Sequence, residues 1–208
     1  PDRVERRPAI ILTSNNLARS SDANPWRDLI EEDVGFALYH GDNRRPGAGP
    51  DGGRGNVRLM ELLEQYADPA QRQLAPPILL FEHQAVGGRR KGFRRFSGFG
   101  VPVQVRIQAQ ASSESHFTNL AVELALFGLE AEKGLFDWSW IDRRRDPNLS
   151  AREANRAAPL AWRRWLRDGS AAIGAVRRRV FRSRIQPPKT QRSMGRAEAS
   201  LLHTVYEN

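Results

Sequence analysis

The stretch Tyr39-His40-Gly41-Asp42-Asn43 places an aromatic ring, an imidazole, a carboxylate and a carboxamide within five residues. Such a set suits the capture of a planar heterocycle, because a ring replaces lost stacking and polar groups satisfy the heterocycle's edge. Tyr39 or Trp26 fits the stacking part. Asp42 can accept a hydrogen bond from an exocyclic amine such as that of cytosine. The competing reading is that Tyr39 belongs to the core and Asp42-Asn43 opens a turn, since both residue types favour turns through local hydrogen bonds.

Basic residues cluster in three further places. Arg44, Arg45 and Arg54 flank a Gly/Pro-rich loop, and Arg89-Arg90-Lys91, with Arg94 and Arg95 beyond them, occupy a glycine-bounded hairpin tip. Arg177-Arg178-Arg179 interleave with apolar residues near the C-terminal end. Like charges crowded on a tip repel one another and gain from a polyanion, so these are the expected DNA contacts. The chain as a whole carries 33 Lys and Arg against 24 Asp and Glu, a net charge of +9, and only three of the bases are lysines. Arginine suits bidentate contacts to phosphate and guanine.

Several chemistries are excluded. With no cysteine there are no disulfides, thiolate metal sites, cysteine zinc fingers or cysteine-dependent zinc deaminase centres. The four histidines, His40, His83, His116 and His203, lack metal-ligand spacing. A metal-dependent nuclease of the PD-(D/E)xK type needs an acid two positions before a lysine. Lys91, Lys133 and Lys189 all lack one, and an HNH site needs paired histidines near an asparagine, whereas His116 with Asn119 stands alone. This segment is therefore expected to be non-catalytic, with no metal and no cofactor. No apolar run approaches the roughly 18 to 20 residues that span a bilayer, and Ala9-Ile10-Ile11-Leu12 is too brief for a secretory signal. The cytoplasm is the expected location.

The elements that position these residues follow from periodicity. Residues 34–40 read as a strand ending at Gly41-Asp42-Asn43. A helix follows over residues 57–66, with Leu59, Leu62, Leu63 and Tyr66 on one face. Strands are expected at residues 78–81, 93–99, 101–107 and 118–127. The last has Leu120, Val122, Leu124 and Leu126 on the buried face. Trp138-Ser139-Trp140-Ile141 reads as a short aromatic strand. Residues 158–169 read as a helix with Pro159 in its first turn, and residues 197–208 as a last helix. From Arg143 to Arg196 there are 16 bases and 3 acids. The fold class expected is α+β, a curved, mostly antiparallel sheet or barrel with flanking helices.

At Tyr39-His40-Gly41-Asp42-Asn43, the Gly/Pro-rich loop and Gly55-Asn56-x-x-Leu59, the chain resembles the SRA-like N-terminal domains of AspBHI-type modification-dependent restriction endonucleases. Phe96-x-Gly98-Phe99-Gly100, Phe117-Thr118-Asn119 and Ala158-Pro159-x-x-Trp162-x-x-Trp165 agree with it in order and spacing. The resemblance implies an SRA-like β-barrel over residues 24–170, preceded by an extension at 1–23. A basic linker or helix at 171–208 would lead to a nuclease domain. It further implies recognition of 5-methyl- or 5-hydroxymethylcytosine in duplex DNA by base flipping, as part of a bacterial defence enzyme. Tyr39 and Asp42 match the family's strand-end tyrosine and the polar positions after it. His40, Asn43, Asn56 and Trp26 are further candidates for that pocket, whose far wall stays open among Phe81, Phe96 and Phe99.

Two other functions compete. A module that reads only DNA or RNA backbone or shape would show steep salt dependence without base preference. An intact small nuclease would cut DNA by itself. The expected partner is duplex DNA carrying modified cytosine, with any homo-oligomer formed through the C-terminal nuclease domain.

Overall fold

A computed structural model describes residues 6–14, 26–43, 45–111, 116–129 and 132–173, with main chain only at 89–91, 110, 111 and 117. Strands β1 (Ile10–Ser14), β2 (Leu29–Glu31), β3 (Phe36–His40), β4 (Ile78–Val86), β5 (Arg89–Ala111) and β6 (His116–Phe127) form one sheet in the order β1-β4-β5-β6-β3-β2. All neighbours are antiparallel except β1 and β4, which run parallel. The class is α+β, as the periodicity implied. Among the described residues, however, the sheet is open rather than closed into a barrel. Its free edges are β1, which pairs only with β4, and β2, three residues long, which pairs only with β3. Ile10–Ser14, assigned by the sequence to an extension, is thus part of the sheet.

The two strands expected between Phe93 and Ile107 are one, because Gly100 does not interrupt the ladder. A Cβ there would sit 1.9 Å from the carbonyl oxygen of Ala125, so glycine is what lets β5 and β6 approach. The register slips between Pro102 and Gln104, a bulge that accommodates a proline with no N–H to donate. The β4–β5 hairpin turns at Gly87 and Gly88, both with positive φ. Arg89 pairs with Val86, so Arg89-Arg90-Lys91 begin the strand and do not form the tip.

Strand β6 departs from half-buried alternation. Residues 119–122 and 124–127 are all buried. It lies between β5 and β3, and on the face expected to be solvated the small Ala121 and Ala125 let neighbours close over them. His40 and Arg106 stand opposite Ala121, and Phe36 and Val101 opposite Ala125.

Helix α1 (Arg54–Ala67) buries Leu59, Leu62 and Tyr66 of the stripe the sequence placed on one face, and Leu63 is only partly buried. After β6 come α2 (Ser139–Arg145), α3 (Ala151–Ala154), opened by a Ser150–Glu153 capping box, and α4 (Leu160–Asp168). The aromatic run Trp138–Ile141, expected as a strand, enters α2 instead. Trp140, Ile141 and Arg144 are buried at helical spacing, and Trp140 packs 5.8 Å from Phe99 and 5.3 Å from Trp162, ring centre to ring centre. Tertiary aromatic packing overrides the β preference of such residues. Pro159 precedes α4 as its N-cap rather than occupying its first turn.

One arginine ties the N-terminal segment and the chain ahead of β4 to α2. Arg144, 1% exposed, donates to the carbonyls of Pro8 (2.8 Å), Arg7 (3.1 Å), Leu74 (3.2 Å) and Ala75 (3.0 Å) and to Oδ1 of Asn155 (2.9 Å). Burial, together with the nearby charge of Arg6, pulls its pKa down to about 10. Arg6 reaches the other way, donating to the carbonyls of Arg144 (3.0 Å), Leu149 (3.0 Å) and Asp146 (2.9 Å).

Candidate nucleic-acid interface

The chain leaves β3 through Gly41, Asp42 and Asn43, and a buried amide network fixes that exit. Asn56, fully buried in the first turn of α1, accepts the backbone N–H of Asp42 at 2.9 Å. Its amide donates to the carbonyl of Pro50 (2.6 Å) and to Oδ1 of Asn119 on β6 (3.0 Å). Asn119, 1% exposed, donates in turn to the carbonyl of Gly41 at 2.8 Å. Asn43 donates to the carbonyls of Thr118 (2.7 Å) and Gly49 (3.0 Å) and accepts the N–H of Arg45 (3.1 Å). These amides are committed to the protein's own backbone, which is what buried polar groups require. Asn43 and Asn56, candidates for the pocket, thus hold the strand end and the 45–53 loop in place.

Asp42 is different. It is exposed, with Oδ2 accepting the N–H of Gly55 at 3.3 Å, so its carboxylate sits at the N-terminus of α1, where the helix dipole favours negative charge. An added Cβ at Gly53 would lie 2.0 Å from Oδ1 of Asp42, so that glycine makes room for the carboxylate. Tyr39 is partly buried against the core opposite Val122, which favours a packing role.

His40 and Trp26 come together. Their rings stack with centres 5.8 Å apart and planes inclined by 16°. Asp28 accepts the backbone N–H of His40 at 2.8 Å, and its Oδ1 lies 3.4 Å from Nδ1 of the ring. Nε2 lies 3.1 Å from Oε1 of Gln108 on β5. His40 stands opposite Ala121 of β6 and Gln108 opposite Asn119, so the two meet diagonally across the strand, where the small Ala121 leaves room. The result is an aromatic pair backed by a carboxylate and a carboxamide, beside an exposed loop. Asp28, Gln108 and Asn119 were not foreseen; in the sequence Asp28 carries only its nearness to Trp26, and Asn119 only its place in Phe117-Thr118-Asn119.

The basic candidates separate by their surroundings. Arg45 and Arg54 are exposed and, like exposed Arg94, make no ion pair among the described residues. A glycine-rich loop between two such cations lets backbone N–H groups approach a phosphate closely. Arg95 is neutralised by Glu32 (2.6 Å) and Glu82 (2.8 Å), whose hydrogen bonds push its pKa up. Arg44 and Arg177-Arg178-Arg179 lie outside the described residues, as do the side chains of Arg89, Arg90 and Lys91 and the helix expected at 197–208. No described helix is long and apolar enough to cross a membrane.

A family model described as restriction endonuclease AspBHI N-terminal matches residues 3–176. Among solved structures, the MspJI restriction endonuclease in complex with a 27-mer oligonucleotide is 33% identical, covering 95% of this chain and 46% of its own, with a TM-score of 0.70. The DNA modification-dependent restriction endonuclease AspBHI is 28% identical over 78% of this chain and 72% of its own, with a TM-score of 0.59. The DNA recognition domain of the cytosine modification-dependent restriction endonuclease LpnPI is 20% identical over 79% of this chain and 70% of its own, with a TM-score of 0.60, a likeness of fold. The chain spans about half the length of the MspJI chain it matches. No curated protein matches it.

Proposed function

Because the chain belongs to the restriction endonuclease AspBHI N-terminal family, we propose that it is a DNA-recognition domain that reads 5-methyl- or 5-hydroxymethylcytosine in duplex DNA by base flipping. The observation that carries this reading is the match over 95% of the chain to an enzyme solved with an oligonucleotide. The AspBHI relative is a DNA modification-dependent restriction endonuclease, which supports a modified base as the target. Cleavage belongs to another part of the full protein, so this segment binds and does not cut.

In mechanism, Arg45, Arg54 and Arg94 contact phosphates and set the register, while the flipped base is held at the strand end. The stacked Trp26 and His40 rings offer an aromatic face, and the exposed carboxylate of Asp42 accepts from the cytosine amine. Asn43, Asn56 and Asn119 hold that carboxylate and the loop in position without touching the base. Pre-organisation of this kind lowers the ordering cost of binding.

Equilibrium binding to otherwise identical duplexes carrying cytosine, 5-methylcytosine or 5-hydroxymethylcytosine tests the reading. A buried methyl contributes on the order of 1 kcal/mol, about fivefold in affinity, so a preference of at least that size is expected. Trp26→Ala should shrink the preference while leaving the melting temperature close to that of the parent. Equal affinity for all three duplexes at physiological salt would sink the reading in favour of a backbone-reading module.

A further inference from the structure

Sequence reasoning assigned phosphate binding to the strand hairpin, the loop and Arg177-Arg178-Arg179; among the described side chains, free positive charge also collects elsewhere. Among the described side chains of the sheet, Arg95 is held by Glu32 and Glu82 and Arg106 by Glu123, which leaves Arg94 unpaired. Over α2, α3 and α4 the balance reverses. Arg143, Arg145, Arg152, Arg156, Arg163, Arg164 and Arg167 are all exposed there. The acids of this layer are largely engaged. Asp142 pairs with Arg145 (3.8 Å), Asp168 pairs with Arg167 (2.6 Å), and Asp146 accepts the N–H of Asn148 (2.9 Å). Glu153 closes the α3 capping box. It is held below the usual carboxylate range first by hydrogen bonds from Ser150 and then by the charges of Arg156 and Arg143, which places those two arginines around it.

Five arginines are left without an ion pair among the described residues: Arg143, Arg152, Arg156, Arg163 and Arg164. They stand on elements packed against one another, with Trp140 of α2 meeting Trp162 of α4 at 5.3 Å, and unpaired like charges so placed raise the local potential and attract a polyanion. All are arginines, whose planar fork matches phosphate oxygens. The layer also lies far from the reading loop. Asn119 of β6 bonds the Gly41 exit, whereas Phe127, eight residues on, meets Trp162 of α4 at 6.3 Å. At about 3.3 Å per residue the two ends are roughly 26 Å apart along the strand, on the order of eight base pairs of duplex at 3.4 Å each.

We propose that the α2–α4 layer is a second phosphate-binding surface for duplex DNA, built from Arg143, Arg152, Arg156, Arg163 and Arg164. This rests on the reading above that the chain binds duplex DNA, and it adds a second place on the molecule where non-specific electrostatic affinity resides. The surface carries affinity without base preference, because it meets only the backbone.

The test is the salt dependence of binding to modified and unmodified duplexes, measured with the whole chain. A variant combining Arg152→Gln, Arg156→Gln, Arg163→Gln and Arg164→Gln should flatten the slope of log affinity against log salt by about 0.9 for each phosphate no longer neutralised, up to about 3.6 units in all. The ratio of affinities for modified and unmodified duplex should be unchanged. The control Arg95→Gln with Arg106→Gln removes the same kind of charge from ion pairs and should alter the slope by less than 1 unit. An unchanged slope in the fourfold variant, with its melting curve intact, overturns the proposal while leaving the recognition reading in place. Failure of the parent chain to bind any duplex overturns both.

Discussion

The side-chain amide of Asn56 donates to Oδ1 of Asn119 at 3.0 Å, joining the first turn of α1 to the central strand β6 with both residues out of solvent. Through this bridge the strand end at Gly41 and Asp42 is held from two sides.

Asn119→Ala should therefore lower stability by more than an ordinary surface substitution. It leaves the amide of Asn56 and the carbonyl of Gly41 without this partner, and each buried group so stranded costs about 1–3 kcal/mol. Urea unfolding measures the loss. A change below about 1 kcal/mol would mean that water replaces the amide freely.

Gly41 has no room for a side chain. A Cβ there would stand 1.9 Å from Oδ1 of Asn56 and 2.7 Å from Oδ1 of Asn119. Gly41→Ala should displace the bridge, destabilise the fold by roughly 1–3 kcal/mol and weaken DNA binding through the misplaced loop. If the variant melts with the parent, the strand exit is less tightly packed than its geometry states.

For Arg144, even the charge-conserving Arg144→Lys should fail. One ammonium cannot reproduce contacts to four carbonyls and the Asn155 amide oxygen that a guanidinium spreads across its edges. Losing two or more such charged hydrogen bonds, at about 1.5–3 kcal/mol each, should remove at least about 3 kcal/mol of stability. Thermal or denaturant unfolding decides it, and rescue by lysine would show that charge alone matters.

Tyr66 supplies a prediction in pH. Its hydroxyl is buried and donates to the carbonyl of Pro76, and burial pushes its pKa well above the ordinary 10, against a smaller opposing effect of Arg144. With the folded pKa raised, the unfolded chain loses the proton first, so this contribution is complete below pH 10 and is lost as pH rises further. Tyr66→Phe should be less stable than the parent at pH 7 by about 1–3 kcal/mol, the cost of the unpaired carbonyl. By pH 11 that gap should narrow by about 1.4 kcal/mol. Arg144 shifts in the opposite sense, chiefly through its own burial, and since both proteins contain it that part cancels in the difference between them. A gap constant from pH 7 to 11 would contradict a buried, protonated phenol.

Much of the architecture was legible from periodicity. The stripe Leu59, Leu62, Leu63 and Tyr66 identified α1, alternation located β6, and the glycine-bounded stretch from Gly87 to Gly92 marked a hairpin whose turn is narrower than expected, confined to Gly87 and Gly88. Trp138–Ile141 was misread because aromatic residues favour strands locally, and only packing against Phe99 and Trp162 selects a helix. The open sheet was equally hidden, since strand content says nothing about whether edges meet.

The sequence by itself determined that the chain is a cysteine-free, arginine-rich α+β domain, and its ordered motifs pointed to the family it belongs to. Tertiary structure alone decided which polar residues are still available to a ligand. Asn56 and Asn119 are 63 residues apart, as are Arg95 and Glu32, and Arg144 meets Pro8 across 136. Such pairings depend on strand register and helix placement, because a hydrogen bond needs its partners within about 3 Å. The stretch from Tyr39 to Asn43 thus resolves into an exposed carboxylate, a stacked imidazole and an amide already committed to the protein's own backbone.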